Sequence, residues 1–189
     1  MTTELLLRAY RLGHFPMGMD DGTLRWFSPD PRTLMPLDDR FHVSHGLRRV
    51  LKKGRYAITV DADFEGVIQA CAAVHGRTWI SPEILRSYCR LHRDGHAHSV
   101  EARIDGVLAG GLYGVHVGGA FFGESMFHHA TDASKVALVA LVARLRAGGF
   151  VLLDTQWTTR HLLQFGVFEI RRDEYLRRLE EALRLERRF

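Results

Sequence analysis

The sequence predicts an α/β (α+β) fold whose middle is an antiparallel meander and whose end follows a βα order. The dipeptides Asp105-Gly106 and Gly118-Gly119 each separate two runs of strand-forming residues, which is typical of hairpins. The predicted strand 150–154, which begins with four apolar residues, leads into a short helical pattern, which predicts the βα order. With 189 residues, 46% of them hydrophobic, the chain can bury one sizeable core.

The first helix is predicted from apolar residues at helical spacing between Leu5 and Leu12, with a threonine cap before them and Gly13 at the end. Residues 14–39 hold four of the five prolines and predict loops and short strands. We therefore expect a small N-terminal domain over 1–40 and a larger domain over 41–189.

The larger domain is predicted from caps, glycine stops and the change of hydrophobic period along the chain. Its predicted elements are helix 44–53, strand 56–60, helices 63–74 and 82–93, strands 97–104, 107–117 and 120–127, helix 132–147, strand 150–154, helix 158–165, strand 167–170 and helix 173–187.

Composition excludes several protein classes. Charged residues make up 25% of the chain, too few for a disordered, highly charged segment. The longest apolar run, 136–143, is too short to span a membrane. Cys71 and Cys89 lie in predicted helices without a second cysteine pair nearby, which indicates free thiols in a reducing compartment. We therefore expect a cytoplasmic protein with no membrane association.

A basic segment occupies residues 40–60, where six lysines and arginines occur without an acidic residue. Ser44 can cap a helix there that turns Arg48, Arg49, Lys52 and Lys53 to water. Such a helix face is often only solvated. The absence of a compensating anion also makes it the best candidate surface for docking phosphates.

Glycines cluster between residues 110 and 123, through what otherwise reads as two strands. Glycine weakens a strand and is tolerated where another molecule or backbone approaches closely, so we favour a ligand cleft over a plain sheet. Glu124 lies among the apolar and aromatic residues of this segment. Because a carboxylate is costly to bury without a partner, Glu124 is a candidate functional residue.

Asp154 and Gln156 end a buried apolar strand and share one face of it. Ligands of α/β sheets collect near the carboxyl ends of strands. Asp154 or Thr155 could instead cap the helix that begins near Thr158, but capping needs only one of these side chains and leaves the neighbouring amide unexplained. An acid and an amide on one face favour binding of a polar group such as an amine.

Histidine pairs are the only sequence feature that suggests a metal. His96 and His98 share a strand face, but no third ligand has an assured position, so we expect hydrogen-bonded structural histidines and no metal. The glycine-rich nucleotide-binding motifs and the serine nucleophile elbow are absent.

Several segments resemble, in the same order, those of the bacterial leucyl/phenylalanyl-tRNA–protein transferases. Phe27 stands where that family often has a second tryptophan, and Thr155 where it often has cysteine. The matching segments are YRLGHFPMG, WFSPDPR, TWISPEILRSYCRLHRDGHAHSVE, GGLYGV, FFGESMF, the helix start DASKVAL, and LLDTQ.

The resemblance implies a GNAT-like (acyl-CoA N-acyltransferase-like) domain with a mixed, largely antiparallel sheet behind the small N-terminal domain. It implies transfer of Leu, Phe or Met from aminoacyl-tRNA to proteins that begin with Arg or Lys, which creates an N-degron. The reaction converts an ester into an amide, so it runs downhill, and we expect no cofactor. We also expect a monomer.

The resemblance also implies roles for individual residues. Asp154 and Gln156 match catalytic positions: Asp154 would accept a hydrogen bond from the incoming amine or hold its cation, and Gln156 would orient the amine and the ester carbonyl. The basic helix would hold the tRNA backbone. The positions that match contacts to the aminoacyl-adenosine are Trp26, Phe27, Tyr88, Leu112, Phe121, Glu124 and Met126.

Two other functions remain open at this point. An acetyl-CoA-dependent N-acetyltransferase would carry a glycine-rich pyrophosphate loop before its long helix, but the segment FGESMFHHATDAS holds one glycine and two acids. A non-catalytic RNA-binding protein would use the basic helix and the aromatic residues, and would leave Asp154, Gln156 and Glu124 unexplained.

Overall fold

The computed structural model describes residues 1–74 and 78–189. In chain order, its elements are α1 (Thr3–Arg11), β1 (Phe15–Gly18), β2 (Leu24–Phe27), β3 (Arg32–Met35), α2 (His45–Lys52), β4 (Ala57–Val60), α3 (Phe64–Val74), α4 (Pro82–Arg93), β5 (Ala97–Ile104), β6 (Val107–Val117), β7 (Ala120–His128), α5 (Ala133–Ala147), β8 (Leu152–Gln156), α6 (Arg160–Leu163), β9 (Phe168–Ile170) and α7 (Arg172–Leu183).

The predicted order of helices and strands is confirmed, with small differences at the ends of elements. Thr2, Ser44 and Ser81 cap their helices as their sequence positions indicate, each accepting a backbone N–H of the first turn. The main difference is β8, which begins at Leu152 instead of residue 150 and continues to Gln156. Asp154 therefore lies inside the strand and not at its end.

The predicted mixed, largely antiparallel sheet is confirmed. Seven strands follow the order β4-β5-β6-β7-β8-β3-β9, and β1 and β2 form a separate hairpin. β7 and β8 run parallel because α5 connects them, whereas the other neighbours in the large sheet are antiparallel. β3 precedes the expected boundary near residue 40, yet it pairs with both β8 and β9. The division at that boundary stays a prediction.

Two hydrophobic clusters cover the two faces of the sheet. One holds Leu47 of α2 and the buried face of α5, including Leu138 and Leu141. The other holds residues of α1, α3, α4 and α7, such as Tyr10 and Tyr175. The sheet is therefore covered by helices on both faces, and any opening between its strands connects the two clusters.

Most of the clustered glycines allow close packing and do not line a cleft. A Cβ on Gly110 would lie 2.6 Å from the Ala133 Cβ of α5. A Cβ on Gly114 would lie 2.3 Å from the Phe122 carbonyl oxygen. Gly123 differs, because the nearest atom to its Cβ would be 3.7 Å away, and it lines the cavity described below.

Candidate active site

The candidate site lies where the large sheet splits. β7 and β8 pair only from Ala120 with Leu152 to Phe122 with Asp154. Beyond that point β7 stays with β6 as far as His128, and β8 stays with β3. The strands diverge around a cavity of about 470 Å³, a volume typical of small-molecule sites.

The cavity reaches the hydrophobic clusters of both sheet faces. On the α5 side its walls are aliphatic, formed by Leu112, Met126, Leu138, Leu141 and Leu153. On the other side they are largely aromatic, formed by Phe15, Met17, Trp79, Tyr113 and Phe127, with Trp157 nearby. Glu124 and Gln156 also line the cavity.

Glu124 is the extra residue of a β-bulge. In the β6–β7 register, Tyr113 pairs with Ser125 and Gly114 with Gly123, which leaves Glu124 without a partner on β6. A bulge of this kind redirects a side chain and is common next to functional sites. Here it places the carboxylate in the cavity wall.

Two buried tyrosines hold the Glu124 carboxylate. The Tyr10 hydroxyl donates to Oε1 at 2.7 Å, and the Tyr88 hydroxyl donates to Oε2 at 3.3 Å. The pKa of Glu124 is raised to about 8, chiefly by burial. The charge of Asp154 contributes to this rise, while the two tyrosines and Arg32 oppose it. Glu124 can therefore gain and lose a proton near neutral pH.

Asp154 is fully buried in an ion pair with Arg32 of β3. The Arg32 Nε lies 2.9 Å from Oδ1 and 3.1 Å from Oδ2, and Nη2 lies 2.7 Å from Oδ2. Oδ2 also accepts the Tyr175 hydroxyl at 2.7 Å, and Oδ1 accepts the Gln156 backbone N–H at 2.9 Å. Both carboxylate oxygens are thus occupied by groups of the protein.

Gln156 ends β8 in the left-handed region, with φ of 60°. This conformation is uncommon for a residue with a side chain, and the hydrogen bond from its N–H to Asp154 stabilises it here. Its side-chain Nε2 is buried and has no hydrogen-bond partner among the described residues. The same holds for the Tyr113 hydroxyl and the His161 Nε2, whose residues also line the cavity.

The cavity brings together four of the predicted site residues: Leu112, Glu124, Met126 and Gln156. Two others lie behind them. The Tyr88 hydroxyl donates a hydrogen bond to Glu124, and Asp154 accepts one from the backbone N–H of Gln156. The alternative capping role of Asp154 is not observed, because the side chain of Thr159 caps α6.

Three predicted aromatic residues lie outside the cavity wall that the described residues form. Phe121 is fully buried on the α5 side and stacks on Phe189 at 5.1 Å between ring centres. Phe27 packs behind the wall against Phe15 and Trp157. Its neighbour Trp26 points to the opposite face of β2 and is 39% exposed, since side chains alternate along a strand.

The four basic residues of α2 form a separate surface. Arg48, Arg49, Lys52 and Lys53 are all exposed. In the part of the chain that the structure describes, none of them forms an ion pair with an acidic side chain. Their charge is therefore free to attract an external anion.

Sequence reasoning missed several residues that build the site. Arg32 had a signal, because it follows two prolines in the segment SPDPR, but its burial could not be seen. Tyr10 lies on the buried face of an ordinary amphipathic helix and carries no signal of its own. The others are aromatic residues of the cavity wall: Phe15, Trp79 and Trp157.

Of the paired histidines, His98 is hydrogen-bonded. The His98 Nδ1 lies 2.7 Å from an Asp61 oxygen, and its Nε2 lies 2.9 Å from the His116 Nδ1. Among the residues described, no group of three or more histidine, cysteine or acidic residues is arranged to hold a metal ion. None of the helices in the described ranges is long and apolar enough to cross a membrane.

Comparison with known proteins identifies the family. The family model for the leucyl/phenylalanyl-tRNA protein transferase matches residues 34–180, and the model for its N-terminal domain matches residues 1–30. A leucyl/phenylalanyl-tRNA–protein transferase of Salinibacter ruber is 55% identical over 184 residues, which cover 97% of this chain and 80% of that protein. The relative of the same name from Rubrobacter xylanophilus is 55% identical over 190 residues, which cover 100% of this chain and 98% of that protein.

Solved structures show only distant likeness. L-PGS from Bacillus licheniformis aligns with a TM-score of 0.47 and 12% identity, covering 83% of this chain and 51% of that one. This likeness adds nothing to the topology described above. The two family models and the extent of the sequence identity are sufficient by themselves, and the chain belongs to the leucyl/phenylalanyl-tRNA–protein transferase family.

Proposed function

We propose that this protein transfers Leu, Phe or Met from aminoacyl-tRNA to the α-amine of proteins that begin with Arg or Lys, and that the reaction takes place in the split between β7 and β8. Aminoacyl transfer from tRNA to protein is the activity by which the family is named. The observation that carries the proposal is a cavity with one aliphatic half, one aromatic half, and Glu124 and Gln156 between them.

The aliphatic half suits the side chain of the transferred amino acid. Leu112, Leu138 and Leu153 line it without a charged side chain among them. The side chains of Leu, Phe and Met, which have no branch at Cβ, gain from this burial. A methylene contact discriminates by only about 1–3 kcal/mol, so we propose that β-branched residues are rejected by the shape of the walls.

The aromatic half suits the terminal adenosine of tRNA. Aromatic side chains grip unpaired bases by stacking, which contributes about 1–3 kcal/mol per base. Phe15, Trp79 and Trp157 occupy the wall where this contact is needed, and Phe27 supports two of them from behind. We assign the stacking to the lining residues and a supporting role to Phe27. The exposed cations of α2 would hold the tRNA backbone without reading sequence.

Gln156 and Asp154 have different roles in this proposal. The unpartnered Nε2 of Gln156 can donate a hydrogen bond to the ester carbonyl. The same side chain can orient the incoming amine. Asp154 has no free oxygen for the amine, so we propose that it positions Gln156 through the backbone N–H and does not touch substrate. The incoming amine is already partly neutral near pH 7, since its ordinary pKa is about 7.7–8.0, and positioning can supply much of the acceleration.

The test is a transfer assay with mass spectrometry as the readout. The protein is mixed with Leu-tRNA and peptides that begin with Arg, Lys or Ala but are otherwise identical. The Arg and Lys peptides should gain one leucyl residue and the Ala peptide none. Val-tRNA is the control for the donor and should give no product. An unchanged Arg peptide in the presence of intact Leu-tRNA would refute the proposal.

The same assay with acetyl-CoA addresses the acetyltransferase alternative. Asp132 lies at the N-cap of α5, where its Oδ1 accepts a hydrogen bond from the Lys135 Nζ at 2.7 Å. A pyrophosphate at that helix end would face a carboxylate, so we expect no acetylated peptide.

We also propose that the protein acts as a monomer in the cytoplasm. Both cysteines are free thiols, and Cys71 is buried, which suits a reducing compartment. Light scattering should give the mass of one chain for the purified protein alone. With tRNA it should give a complex that contains one protein chain.

A further inference from the structure

The proposed reaction needs a group that handles the amine proton, and Asp154 is poorly suited to that task. An amine that attacks the ester carries one proton too many once the new C–N bond forms. The Asp154 oxygens accept hydrogen bonds from Arg32, Tyr175 and Gln156 and are fully buried. The neutral amide of Gln156 is far too weak a base.

We infer that Glu124 takes the proton from the attacking α-amine and returns it to the leaving 3′-oxygen of the tRNA; this inference rests on the transfer reaction proposed above. Glu124 lines the cavity at the bulge of β7. Its two bonds to protein come from Tyr10 and Tyr88, and the bond to Tyr88 is long, at 3.3 Å. Each carboxylate oxygen can accept further bonds, so Glu124 retains capacity for an amine.

No proton is gained or lost in the step as a whole. The amine nitrogen bonds the ester carbon, and one N–H proton passes to the Glu124 carboxylate. The C–O bond to the tRNA then breaks, and the resulting 3′-oxygen takes the proton from the Glu124 carboxyl. The net change is one amide bond formed, one ester bond broken and one proton moved from nitrogen to oxygen. Glu124 ends as it began, and no further reactant is needed.

The surroundings of Glu124 suit a group that must both accept and donate. Burial raises its pKa to about 8, close to the ordinary value of an α-amine. Proton transfer between groups of similar pKa is nearly balanced in both directions, which favours general acid–base catalysis.

The tyrosine hydroxyls and the thiol around Glu124 have pKa values raised away from neutral pH. Burial, and then the charge of Glu124, raise the pKa values of the Tyr10, Tyr88 and Tyr113 hydroxyls well above their ordinary value. Burial raises the pKa of Cys71 of α3, which bonds Ser125 beside Glu124, to about 12. Arg32 and Asp154 are held in their ion pair. At the other end of the cavity, burial lowers the pKa of His161, and His128 is exposed.

The first measurement compares wild type with Glu124→Gln in single-turnover transfer of Leu to an Arg peptide. The amide keeps the size of the side chain and an oxygen for the Tyr10 hydroxyl, but it does not accept a proton. We expect the rate to fall about 10²- to 10⁴-fold, the usual contribution of a general base, with Leu-tRNA binding unchanged. A variant with the wild-type rate, or one that loses tRNA binding in proportion to its rate, overturns the inference.

The second measurement uses the pH profile, because a structural role would not move its midpoint. Tyr10→Phe removes a hydrogen bond to the charged carboxylate and should shift the midpoint of the wild-type rate to higher pH. The matched control is Tyr175→Phe, which removes the equivalent bond to Asp154 and should leave the midpoint unchanged. If Tyr175→Phe shifts the midpoint and Tyr10→Phe does not, Asp154 takes the proton and the inference is overturned.

The outcomes also separate this inference from the proposed function. If wild type transfers nothing to the Arg peptide, the proposed function fails. If wild type and Glu124→Gln transfer equally well, the proposed function stands and only the role of Glu124 fails.

Discussion

Two arginine–aspartate pairs in this protein have the same geometry and opposite surroundings. In both pairs the two Nε distances are 2.9 and 3.1 Å and the Nη2 distance is 2.7 Å. Arg32 and Asp154 are 1% and 0% exposed, whereas Arg40 and Asp38 are 62% and 55% exposed. The difference between the pairs isolates the effect of burial on an ion pair.

Asp154→Asn should therefore destabilise the protein strongly and Asp38→Asn hardly at all. Removing one partner of a buried pair leaves the other charge uncompensated, at a cost of about 3–5 kcal/mol. An exposed arginine is solvated by water instead. Urea unfolding of the two variants measures the difference. Equal losses of stability would contradict the expected effect of burial. Any loss of activity in Asp154→Asn has to be compared with the loss of stability of the same variant.

Glu124→Gln should stabilise the protein at pH 8 but not at pH 5. The folded-state pKa of Glu124, about 8, lies above the ordinary 4.5 of an unfolded chain. The neutral carboxyl therefore contributes stability that is present below pH 4.5 and is lost as the pH rises towards 8. A difference of one in pKa between the folded and unfolded chains corresponds to about 1.4 kcal/mol. The free energy of unfolding of the variant relative to wild type, measured from pH 5 to 8, should rise steadily, and a flat difference would contradict the assigned pKa.

At the residue scale, the sequence indicated the polar residues of the site better than the side chains that contact them. Glu124, Asp154 and Gln156 are recognisable as polar residues at the ends and in the middle of apolar runs. Their partners Arg32, Tyr10 and Tyr175 come from distant parts of the chain, and nothing in local periodicity predicts which polar groups meet. The positioning role that we propose for Asp154 depends on these distant partners, which occupy its carboxylate oxygens.

At the scale of elements, the glycines of β6 and β7 are set by packing. Gly114 and Gly123 are paired across these two strands, but only Gly123 has room for a side chain. The sequence predicted a ligand cleft along the glycine cluster. It could not show that the approaching groups are helices and neighbouring strands at most positions and an open cavity at one.

Gly114→Ala and Gly123→Ala should separate folding from function. At Gly114 the added Cβ would lie 2.3 Å from the Phe122 carbonyl oxygen and 2.4 Å from the Phe121 ring, so we expect a loss of about 1–3 kcal/mol from overpacking. At Gly123 the nearest atom is 3.7 Å away, so stability should be preserved. The added methyl group narrows the cavity and should weaken binding of Leu-tRNA. Thermal melts and filter binding of both variants check this, and equal melting temperatures would contradict it.

The helices α2 and α7 carry their charges differently. Arg177 and Arg178 of α7, and Arg184 at its C-cap, are paired with acids of that helix, whereas the cations of α2 are not. Replacing Arg48, Arg49, Lys52 and Lys53 by Ala should weaken tRNA binding and flatten its salt dependence, by up to about 0.9 in the log–log slope for each phosphate that the variant leaves without a cation. The matched control removes the same charge from the other sheet face through Arg171, Arg177, Arg178 and Arg184. A similar effect of both sets would assign binding to net charge and not to α2.

At the scale of the whole molecule, distant parts of the chain form the cavity, and three of them carry the polar and aromatic groups discussed above. The β1–β2 hairpin supplies Phe15, the segment before α4 supplies Trp79, and the diverging strands supply Glu124 and Gln156. A ligand in the cavity contacts all three parts only in the folded state, so its binding energy adds to the stability of the fold.

A leucyl-adenosine analogue with an amide in place of the ester should therefore raise the melting temperature. At one hundred times its dissociation constant the gain is about 2.7 kcal/mol. Coenzyme A at the same concentration should leave the melting temperature unchanged. Differential scanning fluorimetry measures both. Equal changes in melting temperature would contradict the assignment of the cavity to the aminoacyl end of tRNA.

Local periodicity, helix caps and contiguous motifs are enough to predict the order of helices and strands, the antiparallel meander, the basic face of α2 and the family. The folded chain alone shows that β3 joins the large sheet, that the sheet splits after Asp154, and that Arg32 neutralises that residue while Tyr10 and Tyr88 hold Glu124. Strand pairing and buried hydrogen bonds join residues far apart in the chain. Their free energy depends on burial and distance, which no local pattern encodes.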